Sequence, residues 1–211
     1  MAKQLEQLLT GMAFHLNGDT AIPTGDEYTL WVEALDQTQD EWADVDFDWD
    51  QLKMISLTTL LMSGTSVALP KDYVKLDGFP MVNGTEYSEI RPEEINLHAE
   101  DRYVVPNLNG KYLTVYPAAA ADVAVSIPYV GRPTSFTTLT SVSLCPSDNY
   151  LIFGGVAKVF LQRDNQKYGE FQAKADLALS SMINKQAVKL DQFDSTIKNK
   201  VTQGGFRLGV D

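Results

Sequence analysis

Apolar residues recur at helical spacing toward both ends of this chain and at strand spacing in its middle. Leu5, Leu8, Leu9 and Met12, with Phe14, stand three and four apart and predict a short amphipathic helix over about the first fourteen residues. Ile22-Pro23-Thr24-Gly25-Asp26 then supplies turn residues and an N-cap candidate. Tyr28, Trp31, Leu35 and Trp42 fall on one stripe of a second helix running to about residue 44, with acids on its other face.

From Leu52 to about Leu144 the period becomes strand-like. Short runs rich in β-branched and aromatic residues (Met54 to Leu61, Ser66 to Leu69, Tyr73 to Leu76, Lys111 to Tyr116, Val123 to Val130) are separated by Pro, Gly and Asn. Asn83-Gly84 and Asn109-Gly110 are the dipeptides of tight hairpins, and the second lies between Tyr103-Val104-Val105 and Tyr112-Leu113-Thr114-Val115-Tyr116. After Cys145-Pro146, with Ser147 or Asp148 as N-cap, Leu151, Ile152, Val156, Val159 and Phe160 predict a helix apolar nearly all round, hence buried. A last helix from about Gln166 to Lys189 packs through Tyr168, Phe171, Ala175, Ala178, Leu179, Met182 and Ile183. The polar residues from Asp191 onward read as an extended arm.

This order predicts an α+β fold: a four-helix unit, two helices N-terminal and two C-terminal, interrupted by an inserted small β-sandwich or barrel, with an extended C-terminal arm. The expected divisions are residues 1–50 with 146–190 for the helical bundle, 51–145 for the β insertion and 191–211 for the arm.

Charge sharpens that division. The chain of 211 residues has a net charge of -11, and residues 1 to 50 carry twelve acids against the single base Lys3, which is the whole of that excess. Trp31, Leu35, Trp42, Phe47 and Trp49 interleave with the acids, so the segment is expected to fold rather than to act as a solvating tail. The stretch 151–211 is mildly basic, with nine bases against six acids, which suggests pairing between this end of one subunit and the acidic end of the next. No basic, apolar leader pattern opens the chain, and no apolar run approaches the roughly 20 residues of a membrane span, so a soluble protein of a reducing compartment is expected.

Candidate chemistry is sparse. Asp44, Asp46 and Asp48 alternate like the start of a calcium loop, but Trp49 stands where such a loop needs Gly and Ile55 where it needs a bidentate Glu. Cys145 alone forms no intramolecular disulfide, and His15 and His98 lie near no recognisable nucleophile. Glu93-Glu94 reads as a solvated pair rather than half of a glycosidase site. No enzyme, metal or cofactor is expected.

The helix with Trp31 and Trp42, the exit Asp48-Trp49-Asp50-Gln51-Leu52 and the stretch Ser66-Val67-Ala68-Leu69-Pro70-Lys71-Asp72-Tyr73-Val74-Lys75-Leu76 resemble the head-to-tail adaptor proteins of tailed bacteriophages. Tyr112 to Pro117, Val125 to Tyr129, Arg132-Pro133 and the helix pair after Asn149 continue the likeness over about residues 26 to 190. The resemblance implies a virion neck protein, made in the host cytoplasm, that forms a homo-oligomeric ring, commonly dodecameric. Such a ring sits between the portal protein and the tail or next neck protein and extends the channel through which DNA passes without sequence-specific binding. On that reading Glu33, Asp36, Asp40, Glu41 and Asp44 form an acidic channel or subunit-interface face. The arm residues Phe193, Ile197, Val201, Phe206 and Leu208 would dock on the portal. Two other readings fit the same order of elements: a stopper, tail-completion or baseplate protein, and a β-sandwich module binding a carbohydrate or peptide. Solvent-facing tryptophans would favour the module and buried ones would count against it.

Overall fold

The structure, a computed structural model, describes residues 3–60, 65–97, 101–120 and 122–203, with the backbone alone described at residues 96 and 190–203. The protein is α+β, with four α-helices and two β-sheets among the described residues. The chain divides into two compact units, Met1–Phe47 with Phe136–Asp211, and Asp48–Ser135.

The helical unit is built around α3 (Asp148–Gln162), which packs against α1 (Leu5–Leu16), α2 (Asp26–Ala43) and α4 (Tyr168–Gln203). Contact with three helices explains why α3 is apolar nearly all round: Leu151, Val156, Ala157 and Val159 are all fully buried. Ser147 caps it, its side chain accepting the Tyr150 N–H at 3.3 Å. Two glycines in α3 allow the close approach. A Cβ on Gly154 would stand 2.5 Å from Thr38 Cγ2, and one on Gly155 would stand 3.0 Å from Met12 Sδ.

The helical unit resumes at Phe136, about ten residues before the sequence-based boundary at 146. The connecting loop is polar in composition yet tied to α1 and α2. Leu5 N–H donates to Ser141 O at 2.8 Å, Phe136 N–H to Asp36 Oδ1 at 2.9 Å, and Ser143 Oγ–H to Gln39 Oε1 at 2.5 Å. Such bonds between residues a hundred positions apart leave no trace in hydrophobic periodicity.

The extended arm expected over residues 191–211 is corrected as far as it is described: α4 stays helical through Gln203. Polarity does not break a helix, and no Gly or Pro occurs from Glu170 to Gln203. Phe193, Ile197 and Val201 are thus on a helix, whereas Phe206 and Leu208 lie outside the described residues.

The second unit is a β-sandwich. In its first sheet β9 (Ala124–Gly131) is central, pairing antiparallel with β1 (Lys53–Thr59) on one side and with β3 (Tyr73–Leu76) and β4 (Met81–Val82) on the other. The hairpin partner β5 (Thr85–Glu86) follows β4. The second sheet runs β2 (Ser66–Ala68), β8 (Tyr112–Tyr116), β7 (Tyr103–Asn107), β6 (Ser88–Glu89), with β6 parallel to β7. Val82, Val125, Ile127 and Tyr129 of the first sheet meet Val67, Val104, Leu113 and Val115 of the second in one buried core.

Asn83-Gly84 makes the tight turn expected of it, with φ of 49° and 74° between Val82 and Thr85. Asn109-Gly110 does not. The β7–β8 loop spans residues 108–111, and Lys111 rather than Gly110 takes positive φ, at 52°. Asn107 Oδ1 organises this loop by accepting the Gly110 N–H at 2.8 Å.

Candidate functional site

Among the described residues no group of three His, Cys, Asp or Glu side chains is placed to hold a metal ion. Cys145 is buried, and burial pushes its thiol up to about 12. His15 sits among Phe14, Phe153 and Phe171, each ring centroid 5.4 Å away, and burial with the nearby Lys174 ammonium lowers its pKa. His98 lies outside the described residues. Glu94 accepts the Arg91 N–H at 3.3 Å and so closes a local turn, while Glu93 is exposed. Trp31, Trp42 and Trp49 are all buried, so none offers a face to a sugar ring.

The acids of α2 divide into two sets. Its apolar stripe, Trp31, Ala34, Leu35 and Trp42, is buried, which turns the acids outward. Glu41 accepts from Lys158 at 2.5 Å and Glu27 from Arg163 at 2.5 Å, so two bases of the mildly basic C-terminal stretch are held by acids of the same chain. Lys3, the lone base of the acidic quarter, in turn faces Asp148 at 3.4 Å.

Glu33, Asp36 and Asp40 on α2, with Asp44 at its C-cap, recur at intervals of three and four and form one stripe. Glu33, Asp40 and Asp44 are exposed and Asp36 is half-buried. Burial raises the Asp36 carboxyl above its ordinary value, its bond from the Phe136 amide opposes that, and repulsion from Asp40 and Glu33 adds to it. A stripe whose own charges repel is suited either to facing mobile DNA, which it holds off, or to receiving a basic surface.

α4 is the second feature. At 36 residues it is about 54 Å long, against about 22 Å for the 15 residues of α3 that pack on it. Phe171, Ala175, Met182 and Gln186 are buried along its first half. The same spacing continues in the sequence through Leu190, Phe193, Ile197 and Val201.

Sequence reasoning missed two surfaces of the sandwich. One is a groove of about 550 Å³ lined by Pro92, Ile95, Pro106, Leu108, Tyr116 and others, with no charged side chain among the described lining. The other is β1, whose Ile55 and Leu57 are exposed. Leu108, an apolar residue beside the Asn109-Gly110 turn, was the one signal in the sequence for the groove. Comparison with known proteins supplies no further constraint on these surfaces: no family model matches the chain, and no curated protein does.

Proposed function

We propose that the chain is a structural subunit of a tailed-phage neck, a head-to-tail adaptor that forms a ring between portal and tail. The observation that carries this reading is α4, a helix that outruns its partner α3 and keeps its apolar spacing beyond it. A helix built this way inserts an apolar face into a groove of another subunit. In this reading Phe193, Ile197 and Val201 dock as a helix on the portal, and Phe206 and Leu208 extend the contact. The stripe Glu33, Asp36, Asp40 and Asp44 lines the DNA channel or a subunit seam, and Glu41 braces α3 through Lys158. A ring requires one face to complement a different face, and a chain with one strongly acidic segment supplies such asymmetry.

Mass photometry of the purified chain, alone and mixed with portal, tests the proposal. A discrete ring, formed alone or on the portal, is the expected result. A chain that stays monomeric with portal and is absent from isolated necks defeats it. The groove at Leu108 and Tyr116 favours a second reading, a sandwich that binds an apolar peptide. Peptide-induced NMR shifts confined to those residues, in a protein that stays monomeric with portal, are the outcome that reading requires.

A further inference from the structure

The sheet edges of the sandwich differ in one respect. β5 and β6 have two residues each, β2 has three, and β3 breaks register between Tyr73 and Lys75. Short or irregular edges resist pairing with another chain. By contrast, β1 has seven residues in unbroken register with β9, and among the described residues no strand pairs with its other side.

That free side is ready to pair. Leu60 N–H donates to Val123 O at 3.0 Å and Leu60 O accepts from Asp122 at 3.3 Å, so Leu60 directs both backbone groups toward the β9 side. Alternation along an antiparallel strand then turns the amides and carbonyls of Met54, Ser56 and Thr58 toward β9 and those of Ile55, Leu57 and Thr59 outward. The side chains of Ile55 and Leu57 are 69% and 81% exposed. The strand lacks the usual guards of an edge: it has no Pro, and no charge from Met54 to Thr59. Lys53, at its start, is held by Asp48 at 2.7 Å.

We propose that β1 pairs antiparallel with β1 of a second copy of this chain, about a twofold axis at Leu57. The absence of charge selects the occupant. Identical strands paired about a twofold axis set the same stretch against itself, so a charge there would face its own copy, and the stretch Met54–Thr59 carries none. The register is self-complementary: Leu57 faces Leu57 of the partner copy and Ile55 faces the partner's Thr59, two pairings that suit a sheet surface. A twofold contact closes after two copies, so it is separate from the heterologous contacts of a ring and stands or falls apart from them.

Leu57→Cys tests the register on the full chain. A hydrogen-bonded antiparallel pair holds its Cα atoms about 5.5 Å apart, within reach of a disulfide, and the native Cys145 is buried. Mild oxidation is expected to convert L57C to a covalent dimer much faster than S56C, whose side chain faces the interior. Sedimentation of the wild-type chain is expected to show a concentration-dependent dimer, and Leu57→Lys, on an exposed side chain, to abolish it while leaving the circular dichroism spectrum unchanged. The proposal is overturned by a wild-type chain with no dimer at its highest soluble concentration, by an L57K protein that still pairs, or by L57C linking no faster than S56C. Loss of association in L57K without self-linking of L57C also overturns it, and assigns the edge to a different partner.

Discussion

At the residue scale, packing in the helical unit turns on where a methyl group fits. Gly154 and Gly155 are neighbours in α3, and replacing either by Ala would favour the helix by about 1 kcal/mol on propensity alone. What each added Cβ would meet decides the sign. At Gly154 it is Thr38, a β-branched side chain whose hydroxyl is tied to Ala34 O at 2.7 Å, so its methyl has little freedom to move aside. At Gly155 the nearest atom belongs to Met12, an unbranched chain that adapts. Gly154→Ala is therefore expected to destabilise by about 1–3 kcal/mol, the range for overpacked cores, and Gly155→Ala by less. Urea midpoints of the two variants check the order, and equal midpoints would contradict it.

At the element scale, the distal half of α4 is expected to contribute to docking rather than to the fold. Residues buried on α4 reach Gln186, and the described packing partner α3 ends at Gln162. Ending the chain after Lys189 should leave the urea midpoint unchanged within error and abolish binding to the portal. An early-unfolding truncation would show instead that the distal half packs within the chain. This element also shows where the sequence was legible. α1 and α2 were readable because each buries one stripe, α3 because it is apolar nearly all round, and Tyr73–Leu76 because β-branched and aromatic residues sit between clear turn signals. The end of α4 was misjudged because polarity alone was taken for a stop, when neither Gly nor Pro stands between Glu170 and Gln203 to break the helix. The loop at Asn109-Gly110 escaped for a different reason. Asn107 accepts the Gly110 amide and moves the left-handed residue to Lys111, a bond that no dipeptide preference encodes. The free edge of β1 was equally hidden, since a run such as Ile55-Ser56-Leu57 reads alike at the edge and in the middle of a sheet.

At the scale of the whole molecule, the surplus of negative charge stops being a bulk property and becomes a stripe with a measurable signature. Glu41 and Glu27 are matched by Lys158 and Arg163, but Asp36 is half-buried, and Asp40 and Glu33 press on it as well. Its folded pKa therefore lies above the unfolded value, so the ionised form costs stability at neutral pH. As pH falls through the raised pKa the folded state takes up the proton first, and this site's contribution improves until the unfolded carboxyl is also protonated, near about 3.9. Asp36→Asn keeps an oxygen to accept the Phe136 amide while removing the charge. The free chain carrying D36N is expected to melt above wild type at pH 7, and the gap should close as pH falls toward 4. The same variant distinguishes the two positions of the stripe in the proposed ring. Against a basic seam the Asp36 carboxylate gains a partner, so D36N should weaken the assembled ring at pH 7. Facing a water-filled channel it gains none, and D36N should leave the ring intact or firmer. Thermal melts of free chain and ring, wild type beside D36N at pH 7 and pH 4, decide between a seam and a channel wall.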